Sequence, residues 1–92
     1  NYVTTEFAGV SPYLFDRGKD YVLIVTNANL DNFKTLKIKT DIRIREICEI
    51  TKKGIKEKRS FKENGNEVEI KTSVKGMETA TFIIKSRQEK EL

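Results

Sequence analysis

Two pairs of closely spaced carboxylates come closest, in type and spacing, to a catalytic arrangement in this sequence. Asp16 and Asp20 flank a turn, and Glu67 and Glu69 occupy alternating positions of a strand. Two carboxylates placed on either side of a glycosidic bond can act as acid and base. Charged residues that only contact solvent are also common beside turns and on the solvent-exposed face of a strand. We therefore expect a structural role for both pairs.

The absence of histidine from all 92 residues restricts the chemistry further. Without it the chain lacks the usual general base and the Ser-His and Cys-His nucleophile pairs. No glycine-rich phosphate loop is present either. Cys48 is the single cysteine and lies on the parity assigned below to the core, so we expect a buried, unreactive thiol. The sequence predicts no catalytic residue, no metal site, no cofactor and no enzyme activity.

A run of basic residues, in a chain of net charge +4, is the feature closest to a nucleic-acid site. Four of them share one parity of a predicted strand, and phosphates could contact such a stripe. They are Lys37, Lys39, Arg43 and Arg45. No aromatic residue, on which bases would stack, shares that parity, so we expect a solvated face and no nucleic-acid partner. No apolar run reaches the length of a membrane span, so no membrane partner is expected.

Aromatic side chains could bind a sugar or pack against a neighbouring domain. The sequence has three tyrosines and no tryptophan, and the missing tryptophan weakens the case for a sugar. Tyr21 opens an apolar segment and is expected in the core. Tyr2, Phe7 and Tyr13 are the candidate contacts, either to a carbohydrate or to another domain.

Alternation with period two predicts that the elements are strands. Within 36–45, apolar residues and one threonine occupy one parity and charged residues occupy the other. This pattern indicates a single strand with one buried and one wet face. The parity slips at Ile47, and Cys48 and Ile50 return to the buried set. We predict a β-bulge or a break near Arg45–Glu46 that absorbs one residue.

Two turn sequences predict β-hairpins with defined registers. Asn64–Gly65 suits a type I′ loop, which would place Phe61 opposite Val68 and Lys62 opposite Glu67. The hairpin would thus have an apolar pair on one face and a pair of opposite charges on the other, and each such pair contributes about 0.2–1 kcal/mol.

The second hairpin is predicted at Gly18–Lys19, which suits a type II′ loop. This turn would place Phe15 opposite Val22 and Tyr13 opposite Ile24. The strand that follows the turn is apolar over 21–25, and we expect it to be a central strand covered on both faces.

The spacing of the strand segments, about 8–12 residues, is typical of sandwiches and small barrels. The sequence therefore predicts an all-β fold, an antiparallel two-sheet β-sandwich of about seven to eight short strands, as one domain over residues 1–92. The charged tail, 87–92, is expected to be a frayed end or a short helical stub. Asn1 in place of a methionine suggests a piece of a longer protein.

Three segments resemble the small C-terminal β-sandwich of (β/α)8-barrel glycoside hydrolases, including amylase-like and β-galactosidase-like enzymes. They are "YLFDRGKDYVLIVTNAN", "IREICEITKKG" and "SFKENGNEVEIKTSVKGMETATFIIKS". The sequence departs from that family at the corner before the last strand, where Gly76 follows Val74 and Lys75 in place of a frequent proline. The resemblance implies a non-catalytic accessory domain whose partner is the neighbouring catalytic domain of a parent chain, and it carries over no catalytic residue.

Two other functions stay open. A carbohydrate-binding module would expose one or two of the tyrosines on a flat face or in a groove. An immunoglobulin-like adhesion or spacer domain would occur in tandem copies with no enzyme beside it. The single cysteine excludes an intramolecular disulfide and leaves the compartment open.

Overall fold

The computed structural model describes residues 1–87, which form nine strands in two antiparallel sheets. In chain order the strands are β1 (Val3–Thr5), β2 (Val10–Asp16), β3 (Tyr21–Asn27), β4 (Phe33–Thr40), β5 (Ile44–Ile50), β6 (Lys56–Lys58), β7 (Phe61–Asn64), β8 (Glu67–Val74) and β9 (Glu78–Ser86). One sheet has the order β1-β4-β8-β7, and the other has the order β2-β3-β9-β5-β6. The all-β prediction is confirmed. Apart from Arg87, the predicted tail lies outside the described residues.

The hydrophobic core lies between the two sheets and is built by alternation along each strand. β8 shows this most clearly, because every second residue from Val68 to Val74 is buried and the residues between them face outward. The most deeply buried apolar side chains are Leu23, Val25, Leu36, Ile38, Ile44, Ile47, Val68, Ile70, Val74, Phe82 and Ile84. Burial of this shared interior holds the two sheets together.

The prediction of one strand over 36–45 is wrong, because the chain crosses there from one sheet to the other. β4 ends at Thr40 in the four-stranded sheet, and β5 begins at Ile44 in the five-stranded sheet. The Thr40 hydroxyl organises the crossing: it donates to the Tyr2 carbonyl and accepts from the Ile42 amide. The predicted inward parity continues through the corner, since Ile42 and Ile44 are both buried.

The predicted bulge near Arg45–Glu46 is confirmed by a register shift in the pairing of β5 with β9. Ile44 faces Ser86, and the regular register resumes only with Glu46 opposite Lys85. The extra residue reverses the parity that follows. Ile47 therefore points into the core, and Cys48 points to the outer face.

The hairpin at Gly18–Lys19 forms in the predicted register. Phe15 pairs with Val22, Tyr13 pairs with Ile24, and Gly18 has the positive φ that a type II′ turn requires at its first central residue. Arg17 and Asp20 close the turn through a backbone hydrogen bond of 2.9 Å.

The hairpin predicted at Asn64–Gly65 has its loop one residue further along the chain than predicted. Asn64 pairs with Glu67, so Gly65 and Asn66 are the loop residues, and Phe61 faces Ile70 rather than Val68. Gly65 has positive φ and Asn66 does not, as in a type II′ turn and unlike the predicted type I′. The shift preserves the two faces of the hairpin, because Phe61 still has an apolar partner.

The corner between β8 and β9 is tied to the loop after β3 by the fully buried Asn27. Its amide donates to the carbonyl oxygens of Asp31, Val74 and Lys75, and its side-chain oxygen accepts from the Asn29 backbone amide. A side chain at residue 76 would collide with backbone atoms of this loop. This close approach explains the glycine at a corner where the resembling family often has proline.

Candidate interaction surface

The outer face of the five-stranded sheet carries a contiguous apolar patch, although the inner face of the sheet already covers the core. We call this surface the apolar face and define it by Tyr13, Phe15, Val22, Ile24, Ile50 and Ile83. Because paired residues of neighbouring strands point to the same side of a sheet, the strand registers place these side chains in two adjacent rows. The prediction that β3 is covered on both faces holds, within this chain, only for the inner face.

The two rows run across all five strands of the sheet. One row contains Phe15, Val22, Ile83, Cys48 and Lys58. The other contains Tyr13, Ile24, Thr81, Ile50 and Lys56. Each row begins with an aromatic residue on the edge strand β2 and ends with a lysine on the edge strand β6.

The aromatic end of the apolar face is its most exposed part. Tyr13 is 68% exposed and Phe15 is 48% exposed. Their rings stack at a centroid distance of 5.5 Å with an interplanar angle of 8°. The aliphatic side chains beside them on β3 and β9 are half-buried. Two large rings side by side at a sheet edge are suited to packing against another surface.

The β6 end of the apolar face carries Lys56 and Lys58, and Lys85 lies beside the face on the middle strand β9; we call these three lysines the basic border. Lys85 pairs with Glu46, which is two residues before Cys48 on β5. Glu46 has a lowered pKa because the Cys48 thiol donates a hydrogen bond to it, with smaller contributions from nearby basic side chains. Three ammonium groups and one carboxylate leave this border with a positive charge.

Cys48 is buried as predicted, but it belongs to the outer face and not to the core. Its Sγ atom lies 3.2 Å from a carboxylate oxygen of Glu46 and opposite Ile83. Burial raises the pKa of the thiol, and the Glu46 carboxylate raises it further by accepting its proton in a hydrogen bond. The bulge at residue 45 accounts for the changed face. The side chain therefore serves as a small apolar group beneath the basic border.

The outer face of the four-stranded sheet is charged, and we call it the charged face. It is formed by Thr35, Lys37, Lys39, Lys62, Glu67, Glu69 and Lys71. Lys37 faces Glu69 at 3.7 Å, and Lys39 contacts Glu6 at 2.8 Å. The hydrogen bond from Lys39 lowers the pKa of Glu6 and raises that of the lysine. A cavity of about 220 Å³ lies on this face and has no aromatic side chain in its lining.

The predicted basic stripe is divided between different parts of the fold. Lys37 and Lys39 lie on the charged face, Arg43 lies in the corner between the sheets, and Arg45 is at the bulge of β5. The four cations therefore do not line one strand. The physical reason is the crossing at residues 41–43, which the unbroken alternation concealed.

Three of the four carboxylates considered for catalysis have structural partners, and the fourth, Glu67, lines the cavity on the charged face. Asp16 accepts a hydrogen bond from the Gly18 amide inside the β2–β3 turn. Asp20 is almost fully buried, and both its oxygens accept hydrogen bonds from the Arg17 guanidinium at 2.7 Å. This bidentate contact lowers the pKa of Asp20. Glu69, on the charged face, pairs with a lysine across the sheet.

The three aromatic residues proposed as contacts lie in different places. Tyr13 is on the apolar face, whereas Phe7 stacks on Phe33 at 4.8 Å and packs against the core. Tyr2 is 43% exposed beside β1, where its hydroxyl lies 3.4 Å from the Asn66 amide. Phe15 was not among the candidates. Its place two residues from Tyr13 on one strand was the signal that could have found it.

Within residues 1–87, no group of three or more histidine, cysteine, aspartate or glutamate residues is placed to hold a metal ion. That part of the chain also has no helix with the length and apolar character needed to cross a membrane.

The fold and this surface define a small two-sheet β-sandwich with one apolar and one charged outer face. Neither a protein-family model nor a curated protein matches the sequence. Among solved structures, the chain is similar to a rhamnosidase from Novosphingobium sp. PP1Y, with a TM-score of 0.68 at 16% identity. The likeness covers 99% of this chain and 9% of that one. At this identity the likeness shows the fold, and this chain corresponds in extent to a small part of a glycoside hydrolase.

Proposed function

We propose that this chain is a non-catalytic accessory β-sandwich domain of a glycoside hydrolase. The observation that carries the proposal is the coverage of the structural likeness, because almost the whole chain matches a small part of a rhamnosidase. The sequence resemblance to accessory sandwiches of glycoside hydrolases points to the same class. The partner in this proposal is the neighbouring catalytic domain of a parent chain, with no nucleic acid and no membrane.

The geometry of the polar side chains supports a role outside catalysis. Asp20 is held by a guanidinium, Asp16 closes a turn, and Glu69 faces a lysine. A glycosidase needs two carboxyl groups on either side of one bond, about 5–10 Å apart, in a site that admits a sugar ring. Within residues 1–87, Asp16 and Asp20 are instead committed to a turn and Glu69 to a cross-strand pair.

The test compares three proteins with one panel of chromogenic glycosides that includes an α-L-rhamnoside. They are the parent-length protein, the parent lacking residues 1–92, and the chain of residues 1–92 alone. We expect hydrolysis by the parent, none by the isolated chain, and a lower melting temperature for the parent without the domain. Hydrolysis by the isolated chain, or a parent-length protein that cleaves no glycoside, would overturn the proposal.

A carbohydrate-binding module is the second candidate, and the stacked, exposed pair of Tyr13 and Phe15 is the observation that favours it. Aromatic rings presented at a surface can pack against the apolar side of a sugar ring. Affinity electrophoresis against a panel of polysaccharides tests this function. Retardation that is abolished in Tyr13→Ala and kept in Tyr2→Ala would support it, and migration independent of every polysaccharide would remove it.

The immunoglobulin-like spacer has less support from the strand order. In immunoglobulin domains the first and second strands are neighbours in one sheet. Here β1 pairs with β4, and the last strand, β9, lies in the middle of the five-stranded sheet. We therefore do not propose this function.

A further inference from the structure

We propose that the apolar face docks onto the neighbouring domain of the same polypeptide, and that the surface it meets is apolar with carboxylates opposite the basic border. This inference rests on the proposed function and assigns its interface. The occupant is a folded domain surface rather than a peptide or a lipid, because the apolar face is a broad sheet surface that spans four strands and is bordered by the lysines of the fifth.

The two outer faces of the sandwich differ in the residues that they expose. An antiparallel sheet with one face in water ordinarily places polar residues on that face. The charged face follows this rule at each position that defines it. The apolar face does not follow it, because β3 carries Val22 and Ile24 outward, between the aromatic pair on β2 and Ile83 on β9. Contiguous apolar patches of this kind mark interaction sites.

The charge of the basic border selects the chemistry of the partner. Lys56 and Lys58 end the two rows, and Lys85 adds a third cation beside the single carboxylate of Glu46. Complementary potentials across an interface favour the correct partner and disfavour surfaces of like charge. The docked surface should therefore carry carboxylates where it faces β6.

The same charge argues against a second copy of the chain as the occupant. A two-fold interface would pair this face with itself, and both copies would bring the same net positive border. A neighbouring domain has no such constraint, because its charges can be complementary. Contacts between domains of one chain bury about 600–1,500 Å² and need not be entirely apolar.

The aromatic pair supplies the anchors of this interface. Tyr13 and Phe15 are the most exposed members of the apolar face, so they have the most surface to bury on docking. Aromatic residues are enriched among the few side chains that carry most of the energy of an interface. The lysines of the border would set orientation and contribute less.

The experiment measures hydroxyl-radical labelling of aromatic side chains in the parent-length protein and in the isolated chain of residues 1–92. We expect Tyr13 and Phe15 to be labelled about fivefold or more slowly in the parent, since docking would remove them from water. Tyr2, exposed outside the apolar face, serves as the internal reference and should keep its rate. Equal rates for Tyr13 and Phe15 in the two proteins would overturn the docking proposal.

Charge-reversal variants test the border. Lys56→Glu combined with Lys58→Glu should restore much of the labelling of Tyr13 in the parent. The matched control, Lys37→Glu combined with Lys62→Glu, places the same changes on the charged face and should leave the labelling slow. Both double variants should keep the circular-dichroism spectrum of the isolated chain. Equal labelling in the two double variants of the parent would refute the carboxylate partner.

Failure of this inference and failure of the proposed function give different results. A parent that hydrolyses glycosides but labels Tyr13 and Phe15 at the isolated rate keeps its proposed function and loses this interface. A parent that protects both rings but cleaves no glycoside loses the function and keeps the interface. Protection in the isolated chain that rises with concentration, together with dimers in sedimentation, would identify a second copy as the occupant and refute the proposal.

Discussion

The outer faces of the two sheets differ in what they present to water, although the inner faces are alike. On the charged face, lysines and glutamates alternate across the strands and several form pairs. On the apolar face, two rows consist mainly of aliphatic and aromatic side chains, with Thr81 and Cys48 among them and a lysine at the β6 end of each. Alternation alone is enough to close a sandwich, so the second set of apolar residues is more than the core between the sheets requires.

Two strands that follow one another in the chain but belong to different sheets show how this difference arises. β8 alternates strictly, with Val68, Ile70 and Val74 inward and polar residues outward. β9 is apolar on both sides at its centre, because Phe82 and Ile84 enter the core and Ile83 lies on the apolar face. Burial of apolar surface stabilises by about 25 cal/mol per Å². Side chains on the inner face are buried on folding and gain this stabilisation then. Side chains on the apolar face stay partly exposed, and burial of their remaining exposed area requires another surface to cover them.

The largest expected effect separates two adjacent residues of β9. Phe82→Ala should lower the free energy of unfolding of the isolated chain by about 3–5 kcal/mol, because it removes a fully buried ring and leaves a cavity. Ile83→Thr should cost about 1 kcal/mol or less, because the outward side chain is partly in water already and threonine keeps the β-branch. Urea denaturation followed by circular dichroism measures both.

A second variant at residue 82 keeps an apolar side chain in the core, so that the comparison with residue 83 can be made even if Phe82→Ala does not fold. Phe82→Leu should fold and should still be less stable than Ile83→Thr, because the core is close-packed and fills poorly when a ring is replaced. Equal losses at residues 82 and 83 would show that the apolar face is as necessary to the isolated fold as the core. The distinction between the two faces would then be lost.

The sequence predicts the strands better than it predicts the connections between them. The β2–β3 hairpin formed in its expected register because glycine at residue 18 leaves one good turn. The sequence does not predict the crossing after Thr40, because side chains that point into the core before a corner between two packed sheets still point into the core after it. Buried residues therefore continue at every second position from Leu36 to Ile44, whether or not the chain changes sheets.

The candidate site was predicted in part, and its errors have the same kind of cause. Alternation located the slip near Arg45–Glu46 but could not say which residue is extra, so Cys48 was assigned to the wrong face. The apolar run over 21–25 predicted a strand covered on both faces, and this chain covers only one of them. A docked domain would cover the outer face of β3, which would account for the apolar residue at every position of 21–25.

A smaller effect would test how charge holds the apolar face in place. The Arg17–Asp20 contact closes the hairpin that carries Tyr13 and Phe15. The hydrogen bonds from Arg17 lower the pKa of Asp20 in the folded chain, so the stabilisation is present above the unfolded pKa of about 3.9. It should be lost as the pH falls below that value and through the lower folded pKa.

Asp20→Asn removes the titrating group and provides the comparison for this pH dependence. The wild-type chain should be more stable than the variant at pH 6, and the difference should shrink as the pH falls from about 4 to 2. Urea midpoints measured at each pH for both proteins give the result. Asp16→Asn, at the same turn but without the guanidinium contact, is the matched control. Parallel curves for wild type and Asp20→Asn would contradict the assigned cause of the lowered pKa.

The smallest expected effect lies on the charged face. Glu6 and Lys39 form an ion pair at 2.8 Å, and the Glu6 side chain is 67% exposed. Exposed pairs of this kind contribute little, because water and salt screen them and both side chains lose freedom in forming them. Glu6→Gln should therefore leave the urea midpoint nearly unchanged at 150 mM salt, and a small loss should appear only at about 10 mM salt. A loss at both salt concentrations as large as that of Ile83→Thr would mean that the charged face also stabilises the sandwich, and the assignment of stability to the core alone would fail.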